Sequence, residues 1–375
     1  MNFSNGVLNS NEKAIYKLRE LYRKSGYTLY KVSKFEEYDL YAHNKNFLVS
    51  QNVLTFTDTN GKLLALKPDV TLSIIKNIVD QAGVTYKLCY NETVYRTSSG
   101  SDGFREIMQT GLECIGDVDA YSEGEVIMLA MKSLATISDD YVLDLSHRGI
   151  IDGLLDQTDW TVSERLEFVR LLESKNIHAI RALCKSRGTE ATLAESLCKI
   201  TEMYAPITEA LTELQDMVVG EKMQKAVENL KGLCEILSVC GLEKNLYLDF
   251  SVVSDDTYYD GISFKGFING IPESVLSGGR YDRLMNRLGK KCGAIGFAVY
   301  LDRLERFESA MASYDVDAVL LYDADVSIEA LLNAQAELSA EYTNVITAKG
   351  IDKGLRYRKL MKLTKGGIES LETND

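Results

Sequence analysis

The stretch Phe104 to Ile115 alternates in the manner of a strand, and successive strand side chains point to opposite faces. Arg105, Ile107, Gln109, Gly111, Glu113 and Ile115 therefore share one face, and Met108, Thr110, Leu112 and Cys114 share the other. Arg105, Gln109 and Glu113 in a row, with Gly111 leaving space between the last two, suit the floor of a polar pocket that offers donors and a carboxylate to a small ligand. The same row suits a strand facing solvent, and periodicity alone does not separate the two. Lys67-Pro68-Asp69-Val70-Thr71 puts a carboxylate and a hydroxyl at a helix start, where they either hold a ligand ammonium or cap the helix. Arg96 ends the preceding strand. Tyr258-Tyr259 sets two phenols beside a turn, a pattern that interfaces and cores also use. Gly278-Gly279-Arg280 combines close backbone approach with a cation.

Other chemistries find no support. There is no G-x-G-x-x-G after a strand, no Walker loop and no Ser-His-Asp set, so the chain predicts no catalytic constellation and no cofactor. Seven cysteines are scattered without C-x-x-C spacing and read as buried, reduced thiols. His43, His147 and His178 are too far apart to suggest a metal site. The net charge of −13 opposes a polyphosphate partner, because nucleic-acid binders present a basic face. No apolar run approaches the roughly 18 residues of a membrane helix, and the first residues lack a signal-peptide layout, so a cytoplasmic protein is expected.

The elements that must position these groups follow from spacing. Asn9 with Glu12 opens a first helix with Ile15, Leu18, Leu21 and Tyr22 on its apolar stripe. Tyr27 to Tyr41 reads as extended, Leu63 to Leu66 as a strand, and Asp69 as the cap of a helix running towards Gly83. Tyr86 to Arg96 and Phe104 to Ile115 form a hairpin, and Ser122 with Glu125 opens another helix. From about Ile150 to Lys244 helical patterns take over entirely. Strands resume at Leu246 to Val253, Ile262 to Ile268 and Ser274 to Ser277, and a Gly-rich passage leads into a helix from about Val299 to Ala312. After Val316 come strand, helix and strand, then a basic, weakly patterned end too small to fold alone. The class is α+β. The expected divisions are a core in two parts (1–149 and 245–314), a helical insertion (150–244) and a small C-terminal α/β segment (315–375).

Taken in order, FEEYDLY, LALKPDVT, YNETVYR, GFREIMQTGLECIG, TYYDGISFKGF, SGGRYDRLMNRLG and GAIGFAVYLDRL resemble the core of class II aminoacyl-tRNA synthetases, and of histidyl-tRNA synthetase in particular. The resemblance implies a six-stranded antiparallel sheet with flanking helices, dimeric near the first motif. It implies that Asp69, Thr71, Arg96, Gln109, Glu113, Tyr258 and Tyr259 hold histidine, with Arg105, Arg280, Tyr300 and Arg303 as further pocket lining.

The departures from the synthetase pattern are equally informative. Ser254-Asp255-Asp256-Thr257 stands where synthetases carry an arginine, and two aspartates there oppose the charge that develops in adenylation. Tyr300 falls where it fills space used by ATP, and the anticodon-binding domain is reduced to the small tail. A retained amino-acid pocket with a damaged ATP site resembles the regulatory subunits of ATP phosphoribosyltransferase, synthetase paralogues that make no product themselves. That resemblance implies a homodimer within a hetero-oligomer with a short catalytic subunit, and histidine as the effector. A histidyl-tRNA synthetase or another amino-acid adenylating enzyme is the alternative.

The face assignment has a direct test. Glu113→Ala and Gln109→Ala are expected to weaken the response to histidine with little loss of folding, whereas Leu112→Ala should cost about 2–5 kcal/mol. Equal damage from Glu113→Ala and Leu112→Ala in circular-dichroism melting would mean that the faces are inverted.

Overall fold

The computed structural model describes residues 10–44, 48, 52–97, 103–253, 258–304 and 314–374. The chain divides into two compact units, residues 14–304 and residues 1–13 with 305–375.

The larger unit begins with α1 (Ser10–Lys24), whose Ile15, Leu18 and Tyr22 are buried at helical spacing. Asn9, its expected cap, lies outside the described residues. β1 (Thr28–Leu29), β2 (Phe35–Glu37), α2 (Tyr38–Ala42), β3 (Thr55–Thr57) and β4 (Leu63–Leu66) follow. The stretch to Tyr41 is thus not wholly extended: it ends in a helical turn that buries Tyr41. β2, β4 and β3 make a small antiparallel sheet. Then come α3 (Val70–Asn77), β5 (Tyr86–Thr97), β6 (Phe104–Gly116), α4 (Ala120–Ile137) and β7 (Tyr141–His147). The cap of α4 is Asp119, which accepts the Ser122 N–H at 2.8 Å, rather than Ser122 itself. α3 ends well before Gly83, with Ile78 already extended.

The helical stretch comprises α5 (Arg148–Leu155), α6 (Val162–Glu173), α7 (Ile177–Ser186), α8 (Ala191–Glu202), α9 (Ile207–Asp216) and α10 (Gly220–Val239). It is not purely helical. Tyr204–Pro206 forms β8, which pairs with β9 (Leu246–Asp249) and stacks Tyr204 on Tyr247 with ring centroids 5.1 Å apart. β10 (Ile262–Ile268), β11 (Leu276–Arg280), α11 (Asp282–Arg287) and β12 (Gly293–Tyr300) complete the unit. The Gly-rich passage expected before the last helix is therefore strand β12. Its small residues allow a strand to run over the pocket floor, and helix begins only at Leu301.

β5, β6, β12, β11, β10 and β7 are each antiparallel to the next, which is the expected six-stranded sheet. Three strands extend it: β1 parallel to β5, β9 parallel to β7, and β8 antiparallel to β9. α4 packs against β7, β10 and β12 on one face. There Leu112, Cys114, Phe297 and Val299 are buried, and the Tyr22 hydroxyl meets Ser133 of α4 at 3.0 Å. The opposite face carries the pocket, flanked by an apolar cluster including Leu72, Ile75, Leu88, Val94, Leu284 and Met285. Five cysteines are buried as expected, but Cys292 is only partly covered and Cys240 is exposed at the end of α10.

The smaller unit has strands β13 (Val316–Tyr322), β14 (Val345–Ala348), β15 (Tyr357–Thr364) and β16 (Gly367–Thr373), with the helix Ile328–Glu341. β13 is parallel to β14 and β15, and β15 and β16 form a hairpin that the sequence reading left as unpatterned. Ala318 and Leu320 pack with Ala334 and Leu338 of the helix, while Val316, Val319 and Leu360 form a second cluster, so the unit has apolar packing of its own.

Candidate functional site

Cross-strand register builds the site. Directly opposed residues of an antiparallel pair share a face. Gln109, Gly111 and Glu113 of β6 oppose Tyr300, Ala298 and Gly296 of β12, and Gly296 in turn opposes Gly279 of β11. Small residues thus occupy the centre of three adjacent strands, while polar side chains stand around them. The resulting cavity has a volume of about 450 Å³, and its lining includes Asp69, Thr71, Arg96, Gln109, Glu113, Tyr258 and Tyr259, all the residues implied to hold histidine. Tyr300 and Arg303 line it as well.

Two expected lining residues lie elsewhere. β12 pairs with β6 only from Gln109 onward, so Arg105 sits on the part of the β5–β6 hairpin that projects beyond the third strand and is exposed. Arg280 points to the other face of β11, where its guanidinium pairs with Glu123 of α4 at 2.7 Å and with Asp282 at 2.9 Å. Period two puts Ser277, Gly279 and Tyr281 on the pocket face instead, and Ser277 and Tyr281 do line the cavity. Tyr281 is the functional side chain that sequence reasoning passed over. Alternation along β11 was the signal that could have found it. Lys265 and Tyr90 are further lining residues of the same kind. The segment Ser254 to Thr257 lies outside the described residues.

The polar groups are held tightly. Asp69 caps α3 by accepting the Leu72 N–H at 2.8 Å, so the cap and pocket roles coincide in one side chain. Glu113 accepts the Thr71 hydroxyl at 2.7 Å on one oxygen and the Tyr281 hydroxyl at 2.5 Å on the other. Glu113 and Gln109 are only 2% and 3% exposed, so both faces of β6 are buried here. Burial pushes the Glu113 carboxyl up to about 8, against the opposing pull of the Tyr281 and Thr71 hydroxyls, and burial raises Asp69 as well. Among the described residues neither carboxylate has an ion-pair partner. The Gln109 side-chain nitrogen is buried without an acceptor. Beside it, Lys67 and Glu92 form a buried ion pair at 2.5 Å, and Arg96 donates to the Pro68 carbonyl at 2.9 Å, which fixes the turn into Asp69.

Two glycines are sterically required. A Cβ at Gly296 would overlap a Glu113 carboxylate oxygen, and one at Gly279 would come 2.6 Å from the Tyr259 ring. At the far end Tyr300 bonds Ser277 at 2.7 Å and lies under the Arg303 guanidinium, 4.4 Å from ring centroid to carbon. Arg303 is also engaged by Glu273 at 3.1 Å and by the Ser274 carbonyl. The cations of that end are therefore partly spent within the protein.

A six-stranded antiparallel sheet holding a two-carboxylate pocket on its open face is the architecture of a class II synthetase-type core. A family profile described as histidyl-tRNA synthetase matches residues 7–304. The ATP phosphoribosyltransferase regulatory subunit of Caldanaerobacter subterraneus subsp. tengcongensis is 31% identical, over 77% of this chain and 76% of that protein. The crystal structure of an ATP phosphoribosyltransferase regulatory subunit/histidyl-tRNA synthetase from Bacillus halodurans superposes with a TM-score of 0.71 at 22% identity, covering 94% of this chain and 95% of that one. A chain of the ATP phosphoribosyl transferase complex from Thermotoga maritima matches with a TM-score of 0.62 at 18% identity, over 80% and 98% of the two chains. The chain belongs to the histidyl-tRNA synthetase-like family and, within it, to the ATP phosphoribosyltransferase regulatory subunits. Its role is that of a non-catalytic subunit in histidine biosynthesis.

Because Gly296 leaves room for the Glu113 carboxylate, Gly296→Ala should displace that group and abolish ligand binding in the cavity, read by titration calorimetry, with the β-sheet circular dichroism retained. Undiminished binding would contradict the steric assignment.

Proposed function

We propose that histidine occupies this cavity and that the chain thereby confers histidine sensitivity on a short catalytic subunit of ATP phosphoribosyltransferase. The observation that carries this reading is the convergence of two buried carboxylates, Asp69 and Glu113, on a cavity in which neither has a cationic partner among the described residues. Such groups await a ligand rich in N–H donors. Histidine supplies an ammonium for Asp69 and Thr71, an imidazole N–H for Glu113 with Tyr258 and Tyr259 beside it, and a carboxylate for the Gln109 amide and Arg96. Inhibition then follows if histidine binds one state of the assembly more tightly than another, a coupling typically worth ~1–3 kcal/mol.

The same reading places a homodimer inside a cytoplasmic hetero-oligomer, without nucleic acid or membrane. No described helix is long and apolar enough to cross a bilayer. It also keeps the division into a two-part core (1–149, 245–314), an insertion (150–244) and a tail (315–375). A second reading, amino-acid adenylation, is favoured by Arg96 and Arg303 in the cavity lining. It is opposed by Tyr300 and by the engagement of Arg303 with Glu273, and it predicts pyrophosphate exchange dependent on histidine and ATP.

Mixed with a short-form catalytic subunit from the same source, the chain should form a stable hetero-oligomer and raise turnover, and histidine should then inhibit the mixture. Such an assembly requires roughly 1,000 Å² or more of buried interface. Size-exclusion chromatography with light scattering and rate measurements check both halves. Separate elution with an unchanged rate would overturn the assignment, and robust pyrophosphate exchange would favour the adenylating enzyme.

A further inference from the structure

Glu113 is placed in a way that histidine recognition alone does not require. Each of its oxygens already accepts a hydroxyl proton, from Thr71 and from Tyr281, an arrangement that suits the acceptor-only, ionised carboxylate. Yet among the described residues it has no ion-pair partner. From α3 it faces Asp69, a second buried carboxylate, and from β5 it faces Tyr90. Tyr258, Tyr259 and Tyr281 face it from the opposite side, all with hydroxyls that burial holds neutral. Of the cations in the lining, Arg96, Lys265 and Arg303, Arg96 acts on Asp69 and is tied to the Pro68 carbonyl, and Arg303 is paired with Glu273. Two like charges sharing one dry site cannot both stay ionised without a cation.

We infer that Tyr281 is a positioning residue that holds Glu113 ready to ionise, and that histidine entering the pocket expels one proton from Glu113 to solvent. This inference rests on the reading that histidine is the ligand. In the empty cavity the Glu113 carboxyl keeps its proton. The incoming ammonium pairs with Asp69 and relieves the like-charge repulsion. The neutral imidazole then brings an N–H donor, which an ionised Glu113 accepts more strongly than the protonated acid does. Its other nitrogen accepts from a tyrosine hydroxyl. The proton leaves as Glu113–COOH becomes Glu113–COO⁻, and no other bond changes.

The sign of the pH dependence follows. Proton release on binding means that affinity rises with pH until the free carboxyl is ionised by itself. With that carboxyl near 8 in the empty pocket, about 0.9 proton should leave Glu113 per histidine bound at about pH 7, beside about 0.2 from the ligand's own imidazolium, and the Glu113 part of the affinity should rise about eightfold between about pH 6.5 and pH 7.5. Above about pH 8 this contribution levels off.

Titration calorimetry of the full chain with histidine, in buffers of different ionisation heat, counts the protons. Glu113→Gln should bind histidine more weakly, with only the ligand imidazolium's own release, about 0.2 proton at about pH 7, and its shallow pH slope remaining. Tyr281→Phe removes a donor that favours the ionised form, so release should extend to higher pH. At about pH 8 the unaltered chain should release roughly half a proton and the variant closer to one. A purely structural role for Tyr281 would lower affinity without moving that midpoint. Saturable binding with no proton exchange beyond the ligand's own, or a Tyr281→Phe midpoint that does not move, overturns this inference and leaves the histidine reading standing. No binding heat at any pH overturns the histidine reading and this inference with it.

Discussion

The burial of Asp69 and Glu113 side by side, with no ion-pair partner among the described residues, is the constraint on which the rest of the site depends. An isolated carboxylate taken out of water is costly, and two together more so. The fold meets that cost locally with the Leu72 N–H, the Thr71 and Tyr281 hydroxyls and a raised proton affinity at Glu113. Each of these devices is a constraint on sequence. Asp69 must begin a helix, Thr71 must follow two residues later, and the strand carrying Tyr281 must lie two strands from that carrying Glu113. Gly296, between them, must have no side chain.

The sheet separates two kinds of polar work by face. On the pocket face, β11 offers Ser277 and Tyr281. On the opposite face Arg280, the residue before Tyr281, pairs with Glu123, whose other oxygen accepts from Asn229 of α10 at 2.8 Å. That second network is partly buried. It includes His147, which caps α5 through its ring nitrogen and which burial keeps neutral by pushing it down to about 4. Its members tie α4, α5 and α10 to the sheet, so the helical stretch is anchored directly behind the strand that forms the pocket wall. A buried polar network of this kind fixes register as much as it adds stability.

Much of this was legible in the sequence, for reasons that differ by element. Period-two alternation assigned the faces of β6 correctly because one side is packed by α4 and the other must hold small or polar groups over a cavity. The ordered motifs implied a six-stranded sheet, and spacing placed four of its strands, β5, β6, β10 and β11. β7 escaped notice because Tyr141 to His147 is buried on both faces over most of its length, with Asp144 and Ser146 on the polar side, and so gives no clean alternation. β15 and β16 were hidden by basic residues that pair with acidic neighbours, such as Lys362 with Asp323 at 2.8 Å. Arg105 shares the face of Gln109 and Glu113 by alternation but lies beyond the end of β12, and Arg280 faces away from the cavity. Where β12 begins to pair with β6, and which way Arg280 faces, are facts of register that a single sequence does not carry.

On the proposed function, histidine acts on the catalytic partner from the two-carboxylate cavity. The most direct measurement is the histidine dose response of the reconstituted complex, taken as the ratio of rates with and without histidine, for the unaltered chain and for Glu113→Gln. Light scattering would verify assembly in both cases. The account predicts that the half-inhibiting concentration rises by about tenfold or more in the variant, equivalent to ~1.4 kcal/mol of lost binding. An unchanged inhibition curve from a fully assembled Glu113→Gln complex would contradict it and place the action of histidine at another site.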